Sequence, residues 1–471
     1  MVRIRSDACI DRPDTDYLGG GGILHNNHAT LAAKAPLIDG FSDKSYWLDG
    51  LPPSPVLPDL PVASADVIIV GSGFTGLNAA LETARGGRTT LVLDAGDPGW
   101  GCSTRNGGQI STSVKPSLSK LTARFGPDRA RAIRSEGQAA LDWIGQRITD
   151  EQITCDFHQS GRFHAAHTTG HYETLARDAE RMQKEEGIDS FIVPRAEQHR
   201  ELGTDAYFGG AVFTRHASVN PAKYHRGLLE RALAAGVHVT GHCAVLTIER
   251  VAGGFLLHTQ KGQLRARDVI VATNGYTTKL TPWLRRRVIP IGSYIIATEP
   301  LPRSLVDRLF PTNRIASDTC KVVYYYRASP DRQRILFGGR VSASESDPAA
   351  SGPRLHAEMC RIFPDLAGYQ ATHSWTGTVA YTFDELAHTG VHDGVHYAMG
   401  YCGSGVSMAS YLGMRLGQKV LGKPEGKTAF DNLPFPTRPL YTGAPWFLPA
   451  TVAWYRWHDQ HQHRRALAAA G

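Results

Sequence analysis

Between Ser64 and Gly96 the chain reads SADVIIVGSGFTGLNAALETARGGRTTLVLDAG, and this stretch limits the fold more tightly than any other. DVIIV is a short apolar run rich in β-branched residues, the pattern of a strand buried on both faces of a parallel sheet. Gly71, Gly73 and Gly76 come next in G-x-G-x-x-G spacing, and a helical pattern then places small or apolar Leu77, Ala80, Leu81 and Ala84 on one face. A Gly-Gly stop precedes a second apolar strand, TTLVLD, which ends in Asp94. Each part has a task in holding a dinucleotide. Gly71 allows the strand-to-helix turn, Gly73 admits a pyrophosphate to the backbone, and Gly76 lets helix and strand pack closely. Ser72, Phe74 and Thr75 belong to the same turn, where free N–H groups and the positive end of the helix dipole face the phosphates. Asp94, with Ala95 after it, lies 23 residues past Gly71 and can accept from a ribose 2′-hydroxyl. An acid there favours FAD or NAD over NADP.

The next segment of the chain separates FAD from NAD. Gly96 to Ile110, GDPGWGCSTRNGGQI, is a long polar loop, whereas a plain NAD domain would continue into another βαβ unit. The segment from Gly101, Cys102 and Ser103 through Arg105, Asn106, Gly107 and Gly108 to Gln109 suits a longer dinucleotide whose far end needs its own support. The alternative is an ordinary surface loop. Further on, Gly241 to Thr277 reads as a β-meander with turns at Gly253-Gly254 and Lys261-Gly262. It ends in DVIVATNG, where Thr273, Asn274 and Gly275 return the chain to the cofactor sheet. Only one complete fingerprint is present, so electrons are expected from an organic substrate and not from a nicotinamide nucleotide.

Composition sets the outer bounds. The chain has 471 residues, 42% apolar and 20% charged, enough for two or three domains or one two-lobed enzyme. No apolar run approaches the ~20 residues a membrane helix needs. The net charge of +7 comes from dispersed arginines, with Arg285–Arg287 the densest run, which argues against a nucleic-acid surface. Seven cysteines, with no CxxC pair, fit a reducing compartment, and a cytoplasmic protein is expected. HAAH (His164 to His167) and HDQHQH (His458 to His463) lack a full ligand set and are expected to be a loop and a solvated tail, with no metal site. The first forty residues show neither a secretory nor a transit pattern and are expected to be an unstructured arm.

The motifs in their order resemble the FAD-dependent oxidoreductases of the D-amino-acid oxidase / glycine oxidase–sarcosine oxidase superfamily. Within it the likeness is to gamma-glutamylputrescine oxidoreductases. The landmarks, from about residue 43 to 460, are SYWLDG, the fingerprint, GCSTRNGGQI, VIVATNGYT, IPIGSYIIATEPL, YYYRASPDRQRILFGGR, WTGTVAYTFDELAHTG, GYCGSGVSMASYLG and FDNLPFP. The resemblance implies an α/β fold with an α+β substrate lobe: a discontinuous Rossmann-like FAD domain, roofed by a substrate domain with an antiparallel sheet. It places the FAD domain at 43–155, 205–280 and 385–435, and the substrate domain at 156–204 and 281–384. Residues 1–42 become an arm and 436–471 a tail. The resemblance also implies that Gly400, Tyr401, Gly403, Ser404, Gly405 and Val406 open a helix aimed at the flavin's pyrimidine end, and that Val245 makes a backbone contact to adenine. Gly377 stands where some relatives carry a flavin-tethering cysteine, so the FAD is expected to be non-covalent.

Two departures are visible. The close relatives read GYSGHGV where this chain has GYCGSGV, so Cys402 replaces a serine and Ser404 a histidine. Some relatives use a lysine on the ILFGG-like strand for oxygen reactivity, and Ile335 to Arg340 has none.

The expected reaction is oxidation of a C–N bond in an amine or amino acid: hydride passes to flavin N5, and water hydrolyses the resulting imine. Oxygen is the expected acceptor, giving hydrogen peroxide. The alternatives are a D-amino-acid or N-methyl-amino-acid dehydrogenase using a quinone, a non-catalytic FAD-binding assembly factor, and an NADPH-dependent hydroxylase, against which the single fingerprint speaks. Arg327 is the first candidate to hold a substrate carboxylate, with a surface arginine as its alternative. Tyr294, Tyr325 and Trp375 are candidate pocket walls, or ordinary core aromatics. Cys402 has no task in this chemistry.

Overall fold

The computed structural model describes residues 35–470 apart from 56, 58, 61–62, 113 and 340–346. The expected arm therefore lies outside the described residues up to residue 34, and so does Arg340.

Two large sheets divide the chain. The first is built on the fingerprint: Ser64–Val70 pairs in parallel with Thr90–Leu93 on one side and with Gly262–Val271 on the other. His238–Thr240 extends it beyond Thr90–Leu93, and Val395–Met399 adds a late parallel strand beside Ile270 and Val271. The meander runs through Val245–Val251, Gly254–Thr259 and Gly262–Val271, with its turns where the glycines stand. Val67–Val70 and Leu91–Leu93 supply a core with almost no exposure because this sheet is covered on both faces. On one face the fingerprint helix Phe74–Arg85 packs against the late helix Gly405–Val420. Gly413 permits this, since a Cβ there would overlap the Thr75 carbonyl.

The second sheet has nine strands, in the order Leu37–Ser42, Ala371–Thr382, Val288–Thr298, Ile335–Gly339, Tyr325–Ala328, Ile315–Asp318, Arg162–Ala165, Gly210–Phe213 and Ser190–Val193. It is mostly antiparallel, and its hairpin Tyr325–Ala328/Ile335–Gly339 turns at Pro330-Asp331 as expected. Strict alternation splits its residues. Phe163, Ala165, Tyr294, Ile296, Tyr326 and Phe337 enter an apolar core on one face. Ile295, Ala297, Leu336 and Trp375 cluster with Trp47 on the other, which meets the first sheet's loops.

Three boundaries differ from expectation. Leu37–Ser42, inside the expected arm, pairs with Ala371 and His373 at the edge of the nine-stranded sheet. Gly210–Phe213 belongs to that sheet as well, not to the nucleotide side. The expected tail contains a helix, Leu448–Ala470, and HDQHQH is not simply solvated: the buried Asp459 carboxylate accepts from Lys321 N at 3.1 Å and Val322 N at 3.0 Å. HAAH is likewise no loose loop. It begins in the strand Arg162–Ala165, and the His167 carbonyl lies 3.2 Å from His463 Nδ1. No described helix is long and apolar enough to cross a membrane. Among the described residues no group of three or more His, Cys, Asp or Glu is placed to hold a metal.

Candidate active site

The fingerprint turn is built from backbone. Gly71 adopts φ +105°, which side-chain-bearing residues rarely reach, and a Cβ on it would press on the Ala272 carbonyl. A Cβ on Gly76 would overlap the Gly71 carbonyl oxygen, so helix and turn meet only with glycine here. The helix N-cap is Gly73, which has no side chain to cap the first turn and leaves that end to an anionic ligand. At the end of Thr90–Leu93, Asp94 Oδ2 accepts from Ser72 N at 2.8 Å, and Oδ1 accepts from Gly96 N and from Trp100 Nε1, both at 3.1 Å. Ala95 stands between these bonded residues. Asp94's carbonyl accepts from Cys243 N at 2.8 Å, which brings the start of the meander strand, Val245, to the same end of the sheet. A glycine-lined cradle at a helix N-terminus with a carboxylate at the next strand end fits the phosphates and ribose of FAD.

The later glycine-rich loop docks on this turn. Gly400 N donates to Asn274 Oδ1 at 2.9 Å, and the Tyr401 hydroxyl lies 2.6 Å from Thr75 Oγ1. Thr273 is tied to Thr277 through their hydroxyls, and Gly275 packs beneath Thr378. Gly400 and Gly403 take φ +81° and +87°, and Ser404 caps the helix Gly405–Val420 without a side-chain cap bond to its backbone; Val406 in the first turn is buried. Cys402 is 1% exposed, and its thiol donates to the Gly400 carbonyl at 3.2 Å. Burial pushes that thiol above its ordinary pKa, so it remains protonated.

The loop from Gly101 to Gln109 starts as a short helix, Cys102–Arg105, whose Ser103 Oγ accepts from Phe74 N at 3.1 Å. Its next carbonyls are held from the roofing sheet and its approaches. Trp375 Nε1 donates to the Arg105 carbonyl at 2.9 Å, and Trp47 Nε1 donates to the Asn106 carbonyl at 2.7 Å. Arg327 Nη1 donates at 3.0 Å to both the Gly108 and Val219 carbonyls, and its Nε donates to Ala328 O. Gly377 abuts Cys102 and Arg105, and Gly107 lies under the Tyr325 ring.

This placement revises the roles expected of the four pocket candidates. Arg327 is 6% exposed, and burial pulls its pKa down to about 10. It is a tether for the loop, with two of its three nitrogens spent on carbonyls. Trp375 is a tether too. Tyr294 is fully buried on the opposite face of the sheet, in the apolar core, so it walls no pocket on the flavin side. Tyr325 stays on the loop-facing side with its hydroxyl 2.8 Å from Ser293 Oγ.

Several residues of the site belong to no motif that assigns them a role. His225 Nε2 lies 2.8 Å from the Ser72 carbonyl and steadies the fingerprint turn from a separate helix. Lys115 Nζ donates to the Tyr381 hydroxyl at 2.8 Å, and Tyr381 clusters with Cys402, Ile289 and Ile291. Trp47 stands inside SYWLDG, a landmark that could have pointed to it; Lys115 has no signal in the sequence at all.

A site of this form, with one dinucleotide cradle and an antiparallel roof, defines a flavin oxidoreductase. The model of the FAD dependent oxidoreductase family matches residues 66–419, and the chain belongs to that family, with FAD as its cofactor. Among curated relatives, gamma-glutamylputrescine oxidoreductase of Escherichia coli (strain K12) is 31% identical, over 79% of this chain and 87% of its own. A probable oxidoreductase OrdL of Rhizobium meliloti (strain 1021) is 30% identical, over 91% and 99%. In fold the chain is similar to the crystal structure of glycine oxidase from Geobacillus kaustophilus, with a TM-score of 0.68 at 19% identity, covering 80% of this chain and 99% of that one.

Proposed function

We propose that this enzyme oxidises a C–N bond of an amine or amino acid and passes the electrons to oxygen, giving hydrogen peroxide. The observation that supports this most is the seating of the Arg105–Gly108 loop under a sheet face that presents Tyr325, Ser293 and Gly377. The sequence carries one complete nucleotide fingerprint, which supports an organic substrate as the electron donor. The similarity to gamma-glutamylputrescine oxidoreductase supports an amine as the donor, while Ser404 in place of the relatives' histidine supports a different amine.

Bound FAD would supply the two-electron chemistry, held by Gly71–Gly76, Asp94, the Arg105–Gly108 loop and the Gly400–Val406 segment. The remaining work belongs to side chains and backbone. Trp47, Trp375 and Arg327 fix the loop carbonyls and keep water out of the roof contact. The N-terminus of Gly405–Val420, whose lead-in Gly400 is locked through Asn274, would offer oriented N–H groups to negative charge on the bound cofactor. Tyr325, steadied by Ser293, provides a hydroxyl that orients the substrate nitrogen. No protein nucleophile is required, in keeping with the buried, neutral Cys402.

The test is anaerobic mixing with polyamine derivatives, N-methyl amino acids and D-amino acids. At least one is expected to bleach the flavin absorbance; if none does, a non-catalytic FAD protein is the better reading. The lysine-free apolar strand Ile335–Gly339 favours a quinone as the alternative acceptor, and steady-state peroxide formation decides between the two.

A further inference from the structure

The helix Leu448–Ala470 has two stripes of opposite character. Leu448, Val452, Asp459 and His463 recur at helical spacing and face the protein. Leu448 and Val452 join the cluster around Tyr381 and Tyr441, Asp459 accepts from Lys321 N and Val322 N, and His463 reaches the His167 carbonyl. The opposite stripe is Ala453, Trp454, Trp457, His461, Arg464 and Arg465, all exposed. Trp454 and Trp457 keep 51% and 60% of their surface in solvent. On the approach to the helix, Trp446 is 72% exposed and Leu440 88%. Trp446 also walls an open apolar groove with Phe383, Tyr441 and Phe447. Exposed large apolar side chains elsewhere, such as Phe191, Leu246 and Val391, stand far apart along the chain, which is ordinary for a protein surface. Four of them between residues 440 and 457 mark a surface that something covers.

The charge around this apolar patch has one sign. From Leu433 to Gly471 the sequence carries Arg438, Arg456, Arg464 and Arg465 against a single acid, Asp459, whose carboxylate is buried and spent on backbone N–H groups. The fold adds to this. Arg285–Arg287, the densest basic run in the sequence, packs on the segment that leads into the helix. Arg287 Nε donates to the Phe435 carbonyl at 3.0 Å, the Arg286 carbonyl accepts from Thr437 Oγ1, and the Arg285 side chain lies against Gly443. Lys321 Nζ lies 5.2 Å from the centre of the Trp454 ring. Surface arginines elsewhere, such as Arg131, Arg200, Arg303 and Arg308, are each paired with an acid. Among the described residues Arg285, Arg286, Lys321, Arg438, Arg464 and Arg465 make no such pair. The surface thus offers tryptophan rings and uncompensated cations together, spread along a helix and not gathered in a pocket.

We propose that this surface docks the enzyme on the face of an anionic lipid bilayer. Trp446, Trp454 and Trp457 seat among the headgroups, and the unpaired cations meet the lipid phosphates. The helix lies along the bilayer without crossing it, because its inner stripe stays on the protein. Charge selects this occupant over a second copy of the chain: a two-fold contact through the same patch would double its positive charge with no acid to offset it. Docking does not depend on which donor or acceptor the flavin serves.

The test floats the purified holoenzyme with vesicles of equal parts phosphatidylglycerol and phosphatidylcholine, and with phosphatidylcholine alone. Wild type is expected to bind the anionic vesicles at least about tenfold more tightly than the neutral ones, and added salt is expected to release it. Trp454→Ser/Trp457→Ser is expected to bind at least about tenfold more weakly, with melting temperature and flavin content unchanged because both rings lie outside the core. Arg464→Gln/Arg465→Gln is expected to narrow the preference for anionic vesicles. A wild type that does not float overturns the proposal, as does equal binding to both vesicle types or binding that the tryptophan pair does not affect. Should the tryptophan variant fail to accumulate, the arginine variant decides alone, and an anionic preference kept in full overturns the proposal. A holoenzyme that sediments as a dimer, splits in the tryptophan variant and ignores vesicles assigns the patch to a second copy of the chain and overturns it too.

Discussion

The nucleotide side and the roofing sheet solve the problem of building a site in opposite ways. At the fingerprint, shape comes from missing atoms: Gly71 and Gly76 bring backbone against backbone, and no large side chain is needed to form the turn. Beneath the roof, shape comes from large side chains sent in from afar. Trp47, Trp375 and Arg327 lie 59, 270 and 219 residues from the loop carbonyls they hold. The roof also buries ionisable groups, Asp318 and His167 among them, and half-buries His164. A local design fails sharply at one atom, whereas a distributed design weakens by degrees and responds to pH.

That contrast can be broken by experiment. Gly76→Ala has the largest expected effect, a destabilisation of about 3 kcal/mol or more together with loss of FAD, because the added methyl overlaps the Gly71 carbonyl. Urea unfolding and flavin content measure it, and a stable, yellow variant would refute the local design. Acidification comes second. Burial lowers His167 to about 3 and His164 to about 4, below their unfolded value of 6.5. Their neutral forms therefore stabilise the fold fully above about pH 6.5, and that stability is lost as pH falls through the folded values. Each costs on the order of 2 kcal/mol between pH 7 and 4. Asp318 opposes them, since burial raises it to about 7 and its contribution grows on acidification. Comparing His167→Gln with wild type isolates one term: the variant's melting temperature should fall less from pH 7 to 4.5.

Trp375→Phe is the third. It leaves the Arg105 carbonyl without its donor, at about 1–2 kcal/mol, and weakens flavin retention without unfolding the chain. Titration of the apoprotein with FAD reads this out. The smallest effect belongs to Cys402→Ser, under about 1 kcal/mol, with FAD and turnover kept, since serine can donate to the same Gly400 carbonyl. Loss of flavin in that variant would give the thiol a role that its burial denies.

The same contrast explains what can be read from residues alone. Gly71, Gly73, Gly76 and Asp94 stand within one βαβ unit, so spacing is enough to find them and their strands. VIVATNG and Gly400–Val406 are recognisable as motifs, but the Asn274–Gly400 bond that joins them spans 126 residues and leaves no local trace. Arg327 resembles a ligand because its strand is expected to face the flavin and a guanidinium matches a carboxylate, while the carbonyls of Gly108 and Val219 that occupy it come from distant parts of the chain. Tyr294 resembles a wall because alternation gives two faces and does not say which one is the core.

The strand Val395–Met399 and the Gly400 N–H complete a cradle whose glycines were laid down more than three hundred residues earlier. On the ribosome, the fingerprint emerges first and must wait through the whole substrate lobe for its last wall. An early-folding half of this domain would present an open nucleotide crevice and an unpaired edge at Ile270 and Val271 throughout that interval. A chain cut short before Val395 would thus keep the fingerprint and its helix but lack both the strand beside Ile270 and Val271 and the Gly400 N–H that meets Asn274.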